Sequence, residues 1–370
     1  MPKIPDPIHD KSTSAAIIKW YEKTADNNRR PHLGCSELGK ECKRAVWYGF
    51  RWALTKQFEG RMLRLFLRGH REEELFMDEL RAIGCEVYDR DPDTKQQHRF
   101  VGYKGHLQGS ADAIGRGIPH GPKTWAIIEC KTHGEKSFKD LIAKGVKTSK
   151  PEHYAQMMLY MGFSELERAL YLAVNKNTDE LYDEWVHFNQ EEFDQYLAKA
   201  KDVIDSDTPP PGLSTDPSWY QCKMCDFSPI CHTEQVPDKN CRTCVHASPI
   251  DEGQWLCADQ NRNLSVAEQR IGCRAHLYIP PLINYAEATD AGDGWIKYQD
   301  KSSGTIFANV TEDCDRSEEN MTNDITICLT SSEIKVASRS IVNDKLVADI
   351  KQEFPGSRIV GSENPEEIPF

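Results

Sequence analysis

An α/β fold, a central sheet flanked by helices, is predicted by three features of this sequence. Between residues 58 and 204 the hydrophobic pattern runs helix, three strands, helix, two strands, helix. The strand candidates are short and bounded by turn residues, as in the GRGIPHGPK stretch at 115–123. The pattern then stops at a TPPPG break, residues 208–212, beyond which cysteines concentrate.

Taken in order, Ile17, Ile18 and Tyr21 behind Ser/Thr caps predict an amphipathic helix over residues 13–25. Met62, Leu65, Phe66, Leu75, Phe76 and Leu80 predict a longer one over 58–83. Strands are predicted at 85–88, 105–114 and 124–130, a helix at 152–162, strands at 169–174 and 180–188, and a helix at 190–204. Past the break, strand candidates stand at 306–310 and 325–329 in a small α+β C-terminal region. Four segments are expected: an N-terminal helix (1–30), the α/β domain (31–235), a cysteine-rich module (236–280) and an acidic region (281–370).

The 370 residues are 39% hydrophobic and 28% charged, as in soluble globular proteins. No apolar run reaches membrane-spanning length, and the start, MPKIPDPIHDKSTS, lacks the apolar core of a signal peptide. A cytoplasmic protein with no membrane partner is therefore expected. The net charge of −12 is unevenly spread: residues 29–71 hold 11 Lys/Arg against three acids, and residues 281–370 hold 17 acids against eight bases. The basic stretch suits nucleic-acid phosphates, with Arg44 as the candidate contact, and the acidic region suits a basic protein partner.

The densest chemistry lies in GSADAI (109–114) and IIECKT (127–132). Side chains two apart on a strand share a face, so Glu129 and Lys131 point together and Cys130 points to the opposite, core side. With Asp112 they give two carboxylates and a lysine. Hard cations such as Mg²⁺ or Mn²⁺ take oxygen ligands and polarise a phosphate, while a lysine orients or deprotonates attacking water. An isolated E-x-K would read as an edge-strand salt bridge. The preceding Gly-x-x-Asp and the apolar run at 125–128 argue against that here.

The succession G-x-x-D-x-apolar, then three apolar residues and E-x-K, resembles the signature of PD-(D/E)XK nucleases, in particular their RecB-like and CRISPR-associated exonuclease branch. That branch has a Gly/His motif on the preceding helix, here RGHREEE (68–74), and a downstream Gln-x-x-x-Tyr, here Gln156 and Tyr160. The resemblance covers residues 31–232. It implies a restriction-endonuclease-like core in which His70 joins Asp112 and Glu129 around Mg²⁺ or Mn²⁺, with Glu73 as the rival to His70. It further implies that Lys131 activates water and that Gln156 and Tyr160 support the DNA or the lysine. The implied activity is a metal-dependent DNA exonuclease preferring single strands or ends, in recombination, repair or end processing. A structure-specific endonuclease and an inert DNA-binding accessory protein are the alternatives. The C-terminal region resembles tails of bacteriophage-encoded nucleases.

Thirteen cysteines, in a reducing compartment, read as metal ligands before disulfides. Cys222, Cys225 and Cys231 form C-x2-C-x5-C, and with Cys42 they supply four thiolates for Zn²⁺ or an iron–sulfur cluster. The resembling branch carries a cysteine before an Arg-x-x-aromatic segment, here Cys42 before Arg44, Trp47 and Tyr48, and such a trio after its core. This implies a [4Fe–4S] cluster on Cys42, rather than Cys35, with Cys222, Cys225 and Cys231. A second set, Cys241, Cys244, Cys257 and Cys273, has the paired start of a zinc site, with His246 or His276 as substitutes for one thiol. Cys85, Cys314 and Cys328 have no partners by spacing and read as structural.

Overall fold

The computed structural model describes residues 12–26, 29–315, 321–322, 324–325 and 327–337, and the backbone of 359–360. Residues 1–11, and 338–358 and 361–370 of the acidic region, lie outside the described residues. In chain order the elements begin with α1 (Thr13–Thr24), β1 (Leu33–Gly34), α2 (Lys43–Phe50), α3 (Gly60–Ala82), β2 (Glu86–Tyr88), β3 (Arg99–Gly102) and β4 (Leu107–Ser110). They continue with β5 (Ala113–Arg116), β6 (Ala126–His133), α4 (Glu135–Ser149), α5 (Pro151–Ser164), β7 (Arg168–Asn175), β8 (Leu181–His187) and α6 (Gln190–Asp205). Next come α7 (Tyr220–Lys223), α8 (Ser228–His232), β9 (Ala247–Pro249), β10 (Trp255–Cys257), β11 (Arg262–Leu264) and α9 (Val266–Ile271). The last are β12 (Ala286–Gly292), β13 (Trp295–Asp300), β14 (Ile306–Val310), β15 (Ile327–Thr330), α10 (Ser331–Ala337) and β16 (Ile359–Val360). Among the described residues no helix is long and apolar enough to cross a membrane.

The chain divides into two units, Met1–Lys40 with Thr55–Ala200, and Glu41–Leu54 with Lys201–Phe370. The first is built on a mixed sheet in the order β2-β5-β6-β7-β8, in which only β6 and β7 run parallel. Strand β6 explains the layering. Its Ala126, Ile128 and Cys130 pack with Leu170 and Val174 of β7 and with Phe76, Met77 and Leu80 of α3, so Cys130 is the core residue its register predicts. The opposite face carries Ile127, Glu129, Lys131 and His133. Helix α5, which buries Tyr154, Met157, Met158 and Tyr160 among others, is apolar nearly all round and is embedded accordingly.

The strand expected over 105–114 is two strands in two sheets. Strand β4 lies between β1 and β3 in a three-stranded sheet, whereas β5 joins the large one. The chain switches sheets at Ala111 and Asp112, where the N–H of Ala111 donates to the His98 carbonyl at 3.0 Å. Alternation of apolar residues records which face a side chain takes, not which strand its backbone pairs with. Elements beyond those the sequence predicts are also present, among them α2, β3 and α4. Helix α4 is interrupted at Gly145, whose φ of 72° breaks its period, and the N–H of Val146 donates to the Glu184 carboxylate at 2.7 Å.

In the second unit, Trp47 of α2 is fully buried and donates from Nε1 to the Ser206 carbonyl at 2.9 Å. The buried Arg242 guanidinium lies 3.7 Å from the Trp52 ring centroid and 4.6 Å from that of Trp255, and donates to the Phe50 carbonyl. Strands β9, β10 and β11 form an antiparallel sheet, and β12 to β16 a five-stranded one around Trp295, Ala308, Val310 and Cys328. The described parts of the cysteine-rich and acidic segments both fall in this unit. Asn309 accepts from the Tyr278 N–H at 2.8 Å, and Ser331 donates to the His276 carbonyl at 2.7 Å, which ties the two segments together.

Candidate active site

Strands β5 and β6 pair from Gly115–Ala126 up to Ala113–Ile128, and there the ladder ends. The next N–H that β6 presents toward β5, that of Cys130, is taken by Asp112 Oδ2 at 2.7 Å. Asp112 therefore sits in the fork where the two strands part, placed by the sheet switch just before β5. On the α5 side of β6, Glu129 is fully buried. Lys131 Nζ donates to Glu129 Oε1 and lies 3.6 Å from Asp112 Oδ2.

The other Glu129 oxygen, Oε2, is buried with no hydrogen-bond partner. Burial first, then the charge of Asp112, pushes the Glu129 carboxyl up to about 8, against the pull of Lys131. Burial opposes the charge of Lys131, but Glu129 and Asp112 outweigh it and hold the lysine as an ammonium. Asp112 and Glu129, the latter with an oxygen left over, are two oxygen donors that would suit a divalent cation, whose charge would displace the Glu129 proton.

Helix α3 contributes a third carboxylate. The charge of Glu73 reaches Glu129, Cys130 and Lys131. The His70 side chain is 69% exposed, with Nδ1 3.2 Å from Glu73 Oε2. The two rivals on this helix are thus joined: the exposed His70 ring is hydrogen-bonded to Glu73, whose charge acts on Glu129.

From α5, Gln156 Nε2 donates to the Tyr160 hydroxyl at 2.9 Å. Burial, then the charge of Glu129, raises the Tyr160 hydroxyl above its usual range, which locates it beside the carboxylate. This packing explains Gly109: a Cβ there would stand 2.4 Å from the Tyr160 hydroxyl oxygen. The structure also brings in residues that sequence reasoning passed over. His133 Nε2 and His153 Nδ1 both lie 2.8 Å from the Tyr171 hydroxyl. A hydroxyl has one proton, so it donates to one ring and accepts from the other. Burial first, then nearby lysines including Lys131, pulls His133 down to about 4 and His153 to about 3, so both rings are neutral at pH 7. The signal was available: His133 is two residues beyond Lys131 on the same strand face, and His153 is one helical turn before Gln156.

None of the thirteen cysteines is paired in a disulfide. Cys42, Cys222, Cys225 and Cys231 gather in the second unit: burial, then neighbouring thiols of this set, raises Cys222 and Cys225. Arg44 is engaged here, with Nη1 3.3 Å from Cys231 Sγ and Nε donating to the Pro210 carbonyl at 2.8 Å. Cys35 lies instead in the first unit, and the charge of Glu129 reaches it. Cys241, Cys244, Cys257 and Cys273 form the second gathering, where burial pushes Cys241 up to about 11 and Cys244 to about 12, with added effects from neighbouring thiols. Of the alternative histidines, His276 is buried with Nε2 3.0 Å from the Asn240 carbonyl oxygen. As their side chains stand, no three His, Cys, Asp or Glu among the described residues are placed to hold a metal ion.

Among curated proteins none matches the chain. Among solved structures, the crystal structure of SSO0001 is similar at 16% identity over 60% of this chain and 98% of that one, with a TM-score of 0.38. An alkaline exonuclease (LHK-Exo) from Laribacter hongkongensis is similar at 13% identity over 50% of this chain and 90% of that one, with a TM-score of 0.33. Its complex with dAMP gives 11% identity over the same shares and a TM-score of 0.32. The match that spans more than half the chain, residues 15–232, is to the nuclease family that the Asp112, Glu129 and Lys131 arrangement resembles, and the chain belongs to the PD-(D/E)XK nuclease superfamily.

Proposed function

We propose that this protein is a Mg²⁺- or Mn²⁺-dependent DNA exonuclease acting on single strands or ends, in recombination, repair or end processing. The observation that carries the reading is the fully buried Glu129, whose Oε2 has no partner while Oε1 is paired with Lys131. Asp112 and Glu129 would hold the cation, with Glu73, backed by His70, as the third carboxylate facing it. A bound divalent ion supplies Lewis acidity at the scissile phosphate and a more acidic water. Lys131, kept as an ammonium, donates hydrogen bonds and orients the attacking water or a phosphate oxygen. Gln156 and Tyr160 brace the α5 side of the site, and Gly109 leaves room for that hydroxyl. The pairing of His133 and His153 on Tyr171 fixes both rings behind Lys131.

We read Cys42, Cys222, Cys225 and Cys231 as ligands of a [4Fe–4S] cluster, and Cys241, Cys244, Cys257 and Cys273 as a Zn²⁺ site. The support is that thiols of each set act electrostatically on one another and that the Arg44 guanidinium lies 3.3 Å from Cys231 Sγ, where it would offset the negative charge of a thiolate cluster. In this reading Arg44 serves the cluster rather than a phosphate. Incubating the protein with Mg²⁺ or Mn²⁺ and linear or covalently closed circular single-stranded DNA tests the function. Progressive loss of the linear strand with survival of the circle is expected. Rapid nicking of the circle would make it an endonuclease, and cleavage of neither would make it an inert binding protein.

A further inference from the structure

Arg61, Arg64, Arg68 and Arg71 follow one another on α3 at steps of three or four residues, which sets them in a stripe along one side of the helix. Together with Tyr21 of α1 and Lys176, just after β7, they line a cavity of about 770 Å³. Among the described residues, Arg61, Arg64 and Arg71 have no carboxylate within ion-pair distance. Arg68 donates to the Lys176 carbonyl at 3.1 Å and is 4.0 Å from Glu72. The lining thus holds five cations against one carboxylate, in a chain whose net charge is −12. Cations that serve only solubility are dispersed or paired with acids. Here they converge on one concave wall and repel one another, and a polyanion would relieve that repulsion.

The position of the cavity narrows the ligand. The N–H of Lys176 donates to the His133 carbonyl at 2.9 Å, so the cavity adjoins the end of β6, the strand that carries Glu129 and Lys131. From Glu129 to His133 is about 13 Å along a strand. That is about four nucleotides at the ~3.4 Å spacing of a stacked strand. Tyr21 adds a ring on which an unpaired base can lie, which a duplex does not offer. We propose that this cavity binds the phosphate backbone of a single nucleic-acid strand a few nucleotides from the scissile bond. The inference deepens the nuclease reading and rests on it.

The test measures binding and chemistry separately. The anisotropy of a fluorescein-labelled single strand of about 15 nucleotides is titrated with the full-length protein in EDTA across a salt series. The double substitution Arg64→Ala with Arg71→Ala should raise Kd about tenfold and reduce the slope of log K against log salt by about 1.4, two phosphate contacts at about 0.7 each. Lysine at both positions should restore most of both values, because a phosphate accepts a point charge. Hydrolysis of bis(4-nitrophenyl) phosphate with Mn²⁺, a substrate too short to reach the cavity, should be unchanged in the alanine variant. Unchanged Kd and salt slope would overturn the proposal. So would displacement of the strand by millimolar inorganic phosphate, which would mark a site for a free anion. If the wild type hydrolyses no phosphodiester at all, the nuclease reading fails, while the binding data still decide what the cavity holds.

Discussion

Glu129→Gln preserves the shape of the side chain and removes its titration. Because the carboxyl is raised from an ordinary 4.5 to about 8, the metal-free folded protein keeps a proton that the unfolded chain releases near pH 4.5. Stability from that proton is fully present below pH 4.5 and is lost as pH rises through about 8. The full difference corresponds to roughly 5 kcal/mol. Relaxation and water entry around the newly charged group leave about 2–3 kcal/mol. Lys131 stays charged across this window and adds no slope. Calorimetry in EDTA from about pH 5 to about pH 9 should show the wild type losing about 4–12 °C of Tm relative to the variant, at about 2–4 °C per kcal/mol. Mg²⁺ should raise the Tm of the wild type at the alkaline end and leave the variant unmoved. DNA cleavage by the variant should fall by several orders of magnitude. Parallel Tm–pH curves would refute the buried-acid account, and near-normal cleavage would refute the site itself.

Glu73→Ala should lower cleavage about a hundredfold and raise the Mg²⁺ requirement, whereas His70→Ala should cost about tenfold or less. Metal titrations of both would show the reverse order if the imidazole were the ligand. Gly109→Ala drives a Cβ into the buried Tyr160 hydroxyl, so chemical denaturation should report a loss of about 1–3 kcal/mol together with slower cleavage. Unchanged stability would mean that Tyr160 is free to move aside. Anaerobically purified protein should carry iron and sulfide, and Cys222→Ser should bleach it. Metal analysis that finds zinc alone, at about two equivalents, would make both cysteine sets zinc sites.

The parts of this fold that local pattern encodes were readable. Ile127, Glu129 and Lys131 alternate with Ile128 and Cys130, and a period of two needs no knowledge of the rest of the chain. Partner choice is not local, so the stretch around Asp112 reads as one strand although its halves belong to different sheets. Spacing alone also places Glu73, three, four and seven residues before the buried Phe76, Met77 and Leu80, on the inner side of α3, whereas what it meets there is not local information. Residues 41–54 show the opposite extreme. Their aromatic side chains meet partners 159 or more positions later, and no short window of sequence contains both.

That long return has a consequence in time. Glu41–Leu54 leaves the ribosome early, carrying Trp47, Phe50 and Trp52, yet the rest of the unit it belongs to begins at Lys201. At about 5–20 residues per second, translation leaves this apolar segment waiting roughly 7–30 s for its first partner. The intervening sheet can complete itself meanwhile, with the hydrophobic segment held as an exposed loop. Expression yield should therefore depend on chaperone capacity during synthesis. A chain cut anywhere between about residues 200 and 240 should aggregate even though its β6 strand, with Glu129 and Lys131, is already in place.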